Sequence, residues 1–144
     1  MARTMRALAL TFAVVGVLFI ASPDGTIHRL DQVGDWLGSF PNGPKTHEKF
    51  WLALGFAYMT VIAGLALVIS LDVARYRPLL LVLAAGKAAS SLSAGAFYLW
   101  DSHVFIYLAN FVVDGSLVGV ALGCWMLSAR VLEARAPARP PARP

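Results

Sequence analysis

Residues 79–100 read LLLVLAAGKAASSLSAGAFYLW, and after the turn Asp101-Ser102-His103 residues 104–129 read VFIYLANFVVDGSLVGVALGCWMLSA. A run of about 20 apolar residues, rising 1.5 Å each, crosses a hydrocarbon core of roughly 30 Å, and both stretches are longer than that. Each contains a single charge, Lys87 in the first and Asp114 in the second. Backbone groups in lipid need partners within their own segment, so two such runs joined by so short a turn form a helical hairpin. Residues 7–21 and 50–71 are two further apolar runs without any charge. The run at 7–21 is short and must draw on Thr4, Met5 and Ser22 or thin the bilayer, whereas 104–129 is long and must tilt or emerge.

These runs predict an all-α integral membrane four-helix bundle, with spans at about 5–22, 50–71, 79–100 and 104–129 in one domain over 1–135. Composition agrees. The chain has 144 residues, mean hydropathy +0.68, 58% hydrophobic and 14% charged residues. Soluble domains have roughly 45–50% apolar and 25% charged residues, so this chain lacks the polar surface to coat a soluble globule. An ordinary soluble enzyme and a disordered chain are excluded, and the single cysteine excludes a disulfide scaffold.

Orientation follows from lysine and arginine. With the N-terminus inside, Arg3, Arg6, Arg75, Arg77, Arg130, Arg135, Arg139 and Arg143 lie on the inner side. Only Arg29, Lys45 and Lys49 lie outside, and eight against three places both termini in the cytoplasm of a bacterial-type inner membrane. Trp51, Tyr98 and Trp100 then mark the outer interface, and Tyr76 and Trp125 the inner one. The net charge of +4 comes from these topology signals, not from a basic stripe on a soluble face, so no nucleic-acid partner is expected. Arg3 and Arg6 before a short apolar run resemble a signal peptide. Phe19-Ile20-Ala21 is a poor cleavage site, however, and the segment reads as an uncleaved anchor.

Between the first two spans, Ile27, Leu30, Val33, Leu37 and Phe40 recur at helical spacing with Asp31 and Asp35 between them. This predicts an amphipathic outer-side helix over 24–40, which Trp36 helps to lay on the membrane or over the mouth of the bundle. The segment 136–144, APARPPARP, cannot continue a helix and reads as a disordered polyproline-like tail. Gly86-Lys87 is not a phosphate loop, because Leu81 and Ala88 stand where glycine and a hydroxyl residue are required. Cys124 reads as a small packing residue.

The informative residues are those that lipid penalises. A Lys or Asp at a helix centre costs about 2.5–3.5 kcal/mol on insertion scales, so Lys87 and Asp114 are expected to face the bundle interior. Measured from Ser102 at 1.5 Å per residue, they lie about 22 and 18 Å deep, an offset that a lysine side chain can span. Against a direct pair, helical side chains lean toward their own N-terminus, which draws the two groups apart and would leave a gap for hydroxyls or water to bridge. Ser90 and Ser91 continue the stripe from Lys87, and Tyr107 and Asn110 continue it from Asp114. Alanines and glycines from 84 to 96, with Gly55, Gly64, Gly115, Gly119 and Gly123, predict that spans three and four form the tightest seam.

The pair has two main readings. Lys87 and Asp114 neutralise each other and fix helix register, or Asp114 is a proton or cation site tuned by Lys87, Ser90 and Asn110. A Schiff base on Lys87 is a weaker third use. All three histidines, His28, His47 and His103, fall on the expected outer side near Glu48 and Asp101. They lack metal-ligand spacing and remain weak metal or haem candidates. The sequence identifies no cofactor. The leading expectation is a non-catalytic accessory or assembly subunit, or a homo-oligomer, whose partners are the bilayer, further copies or other membrane subunits. The alternative is an oligomeric proton- or ion-coupled carrier or channel using Asp114. An enzyme acting on lipid or quinone through the outer histidines has only composition behind it.

Overall fold

The computed structural model describes residues 1–43 and 49–135; His47 and the tail from 136 lie outside them. The described chain forms five α-helices: α1 (Ala2–Ala21), α2 (Pro23–Leu37), α3 (Lys49–Leu71), α4 (Arg77–Trp100) and α5 (Phe105–Arg135). Helices α1, α3, α4 and α5 are each long and apolar enough to cross a membrane. The fifth, α2, is the short polar one between the first two long helices.

Two long-helix pairs dominate the packing. α1 runs along α3 and α4 along α5, while α2 touches the ends of both pairs through α1 and α5. A shared core joins the pairs: Met5 and Phe12 from α1, Ile62 and Ile69 from α3, Leu80 and Leu83 from α4, Ala121 and Cys124 from α5. The outer faces carry Leu10, Val17, Val61, Leu67, Leu92 and Val112, all well exposed. Among the described residues, the largest fully buried side chain is a lysine, Lys87. Large apolar groups over the outer faces, around an apolar core that also encloses a lysine, depart from the pattern of a water-soluble domain.

Local sequence accounts for the helix ends. α2 starts on Pro23, whose fixed φ suits the first turn, with Asp24 beside the positive end of the helix dipole. The Thr26 hydroxyl donates to the carbonyls of Leu18 and Ser22, tying the end of α1 to the start of α2. α2 stops at Leu37 and not at residue 40, because Gly38 follows in an extended conformation and glycine is a poor helix former. Phe40 consequently leaves the helical face and packs edge-on against Phe105, with ring centroids 5.4 Å apart. Gly34 takes α2 close to α5: a β-carbon there would lie 2.7 Å from Phe105 Cβ. Trp36 projects outward with 84% of its surface exposed, on a helix whose Ile27 and Gly34 are buried.

At the other end of the molecule, Asp72 accepts hydrogen bonds from the backbone N–H groups of Ala74 and Arg75, shaping the turn into α4. Arg77 then donates from Nε to the Trp125 carbonyl and places its guanidinium 4.0 Å from the centre of the Trp125 ring. α5 runs on past residue 129 to Arg135, since its last turns are polar enough to end the apolar run without ending the helix.

Candidate functional site: a buried ion pair beside an apolar cavity

Lys87 and Asp114 meet directly. Nζ lies 3.0 Å from Oδ1, and the two side chains expose 1% and 5% of their surface. The opposite lean of antiparallel helices does not hold them apart, because the lysine stem is long enough to cross the offset. Among the described residues no hydroxyl bridges this contact: Ser91 donates to the Phe111 carbonyl at 2.8 Å, and the Asn110 amide donates to Ser90 Oγ at 3.2 Å. Lys87, Ser90, Ser91, Asn110 and Asp114 therefore form three separate ties across one α4–α5 seam. Tyr107 stands apart from the ion pair, tilted against the Phe97 ring at 5.7 Å.

The other helix pair completes the surroundings of the lysine. Phe12 of α1 presents its ring 4.4 Å from Nζ, and Tyr58 of α3 lies 5.5 Å away while its hydroxyl donates to the Gly86 carbonyl. A desolvated ammonium over aromatic rings gains about 2 kcal/mol from the ring quadrupole. That gain offsets part of the several kcal/mol that burying each ion costs. Sequence reasoning missed both aromatics. Tyr58 left a trace, a hydroxyl-bearing side chain within an otherwise apolar span. Phe12 left none.

The carboxylate is only half satisfied. Asp114 Oδ2 is buried and has no hydrogen-bond partner among the described residues. Asp114 also lines a cavity of about 460 Å³ between α1, α3 and α5, together with Lys87 and Asn110. The remaining walls are almost wholly apolar, chiefly Phe12, Val15 and Phe19 from α1, Phe56 and Met59 from α3, and Val113 and Leu117 from α5. Thr11 also faces the cavity, but its hydroxyl is bonded back to the Ala7 carbonyl.

His28 and His103 do not converge on this centre. His28 lies exposed on α2 with Nε2 3.3 Å from the Gln32 amide, and His103 packs edge-on against Tyr98 at 5.1 Å. Among the described residues, no group of three or more His, Cys, Asp or Glu side chains is placed to hold a metal ion. Cys124 is buried in the shared core.

Set against known proteins, the chain matches no family model, no curated protein and no solved structure. Its chemistry rests on the site alone: a closed ion pair, one unpaired carboxylate oxygen, and an apolar cavity beside it.

Proposed function

We propose that the chain is a non-catalytic multi-pass membrane protein, an accessory or assembly subunit or a homo-oligomer, whose Lys87–Asp114 pair locks four helices in register. The observation that carries this reading is the closure of the pair. Lys87 is bonded directly to Asp114 and enclosed by rings from α1 and α3, so one ammonium engages every long helix. Removing one partner of a buried pair leaves an uncompensated charge, and register is the best-attested use of such groups. The arrangement is read as a four-helix bundle with both termini in the cytoplasm of a bacterial-type inner membrane, on the strength of the Lys/Arg bias. Two small residues on α5, Gly119 and Gly123, where an added Cβ would meet nothing within 4 Å, offer a face that a neighbouring helix can approach closely. Native mass spectrometry of the full-length protein, extracted gently from its own membrane, tests the reading. A defined hetero- or homo-oligomer is expected; a lipid-bound monomer under conditions that preserve known complexes would overturn it.

One observation favours a second reading. The unpaired Oδ2 of Asp114, on a residue that lines the cavity, is a place for a proton, as in an oligomeric proton- or ion-coupled carrier or channel. Liposomes containing the protein would then pass protons under an imposed gradient, and Asp114→Asn would abolish the flux. Absence of flux under every gradient tried would remove this reading.

A further inference from the structure

The cavity has the features of a ligand site of definite chemistry. Its volume of about 460 Å³ falls within the roughly 300–1,000 Å³ typical of small-molecule pockets. Along α1 its wall runs from Leu8 to Phe19, about 16 Å at 1.5 Å per residue, or half of a ~30 Å hydrocarbon core. The wall straddles the middle of α1, and a single flexible chain matches its length, whereas the two chains of a glycerolipid need more room. Aromatic and thioether side chains, Phe19, Phe56 and Met59, provide surfaces that adapt to such a chain.

The polar end selects the head group. Lys87 has its charge matched by Asp114 and its surroundings occupied by Phe12 and Tyr58, so it is poorly placed to recruit an anion. An anionic head would also meet the Asp114 carboxylate, and a cationic head would meet the Lys87 ammonium. What the pair leaves unsatisfied is one acceptor, Asp114 Oδ2, buried on a residue that lines the cavity and without a donor among the described residues. An unpaired buried acceptor is costly, and a neutral hydroxyl satisfies it without adding charge.

We propose that the cavity between α1, α3 and α5 binds a neutral single-chain lipid alcohol, whose hydroxyl donates to Asp114 Oδ2 while its chain lies along Phe12, Phe19 and Met59. The inference rests on the geometry of the cavity and not on the subunit reading, so either can fail without the other.

The probe is hexadecanol carrying a photoactivatable diazirine in its chain, applied to the full-length protein in nanodiscs. A headless diazirine alkane and the matching fatty acid and alkylamine serve as controls. Saturable labelling of cavity peptides is expected from the alcohol, about tenfold above the three controls, the size of one charge-assisted hydrogen bond. Val113→Trp adds bulk to the cavity wall and is expected to abolish that labelling. The apolar double replacement Lys87→Met/Asp114→Leu is expected to label equally with alcohol and alkane, because the acceptor is gone and the cavity remains. Equal labelling of the wild-type protein by alcohol and alkane would overturn the proposal, since the cavity would then be an unselective crevice filled by lipid tails. Undiminished labelling in Val113→Trp would place the probe elsewhere and overturn it too. Competition by dioleoylglycerol as strong as that by hexadecanol would overturn the single-chain assignment.

Discussion

The two long-helix pairs are held by different means. Along the α4–α5 seam, polar groups meet at named atoms: Lys87 with Asp114, Ser91 with the Phe111 carbonyl, Asn110 with Ser90, and Arg77 with the Trp125 carbonyl. Along the α1–α3 seam the fit is one of shape. Gly16 lets the helices approach until a β-carbon there would lie 3.0 Å from Met59 Cβ, and the hydroxyls of Thr11 and Thr60 close back on their own helices. In lipid, packing alone carries little sequence information, because the lipid tails are as apolar as the side chains. A polar seam in the same solvent has few alternatives, since a mismatched register strands a charge.

The difference between the seams is testable by breaking each in turn. The largest effect is expected from Lys87→Met or Asp114→Leu alone. Either leaves a lone buried charge, and reversible unfolding in mixed micelles should register a loss of about 3–5 kcal/mol. Steric insults come next and should strike both seams alike. Gly95→Leu drives a side chain into the Phe111 ring, 2.9 Å from the added Cβ, and Gly16→Leu does the same to Met59. Each should cost about 1–3 kcal/mol in the same assay. A Gly16→Leu variant as stable as the wild type would mean that the α1–α3 seam is loose.

Smaller effects sharpen the comparison. Ser91→Ala removes one interhelical hydrogen bond and should cost about 0.6 kcal/mol, with about 1.7 as the upper bound for such bonds in a membrane. Gly119→Ala and Gly123→Ala should each stabilise the isolated chain by about 0.4–1 kcal/mol, since an added Cβ at either position meets nothing within 4 Å and alanine has less backbone freedom to lose on folding. If those alanines instead dissolve an oligomer on native mass spectrometry, a neighbouring helix occupies that face.

The same contrast explains what could be read from the sequence. The four long apolar helices were legible because uninterrupted apolar runs of that length have few other uses, and the short helix between the first two was legible from its periodicity. Helix ends were less so: α5 carries on through Arg130 and Glu133, where hydropathy falls but helix propensity does not. The meeting of Lys87 with Asp114 followed from counting residues down from Ser102. Their direct contact did not, because the reach of the lysine stem outweighs the lean of its helix. The glycine pattern misled in part. Gly95 and Gly115 lie against α5 and α4 respectively, but Gly55, Gly64, Gly119 and Gly123 border open space, and the Gly16–Met59 contact went unanticipated. Phe12 over the ammonium was invisible, since one phenylalanine in an apolar span looks like any other.

The measurement that tests the ionic lock most directly is a double-mutant cycle on Lys87 and Asp114, read by reversible unfolding in mixed micelles. Each single replacement should lose about 3–5 kcal/mol, and Lys87→Met/Asp114→Leu should recover most of that loss, because no charge is then left unpaired. Single variants within about 0.5 kcal/mol of the wild type, or a double variant that loses the sum of both, would contradict the account.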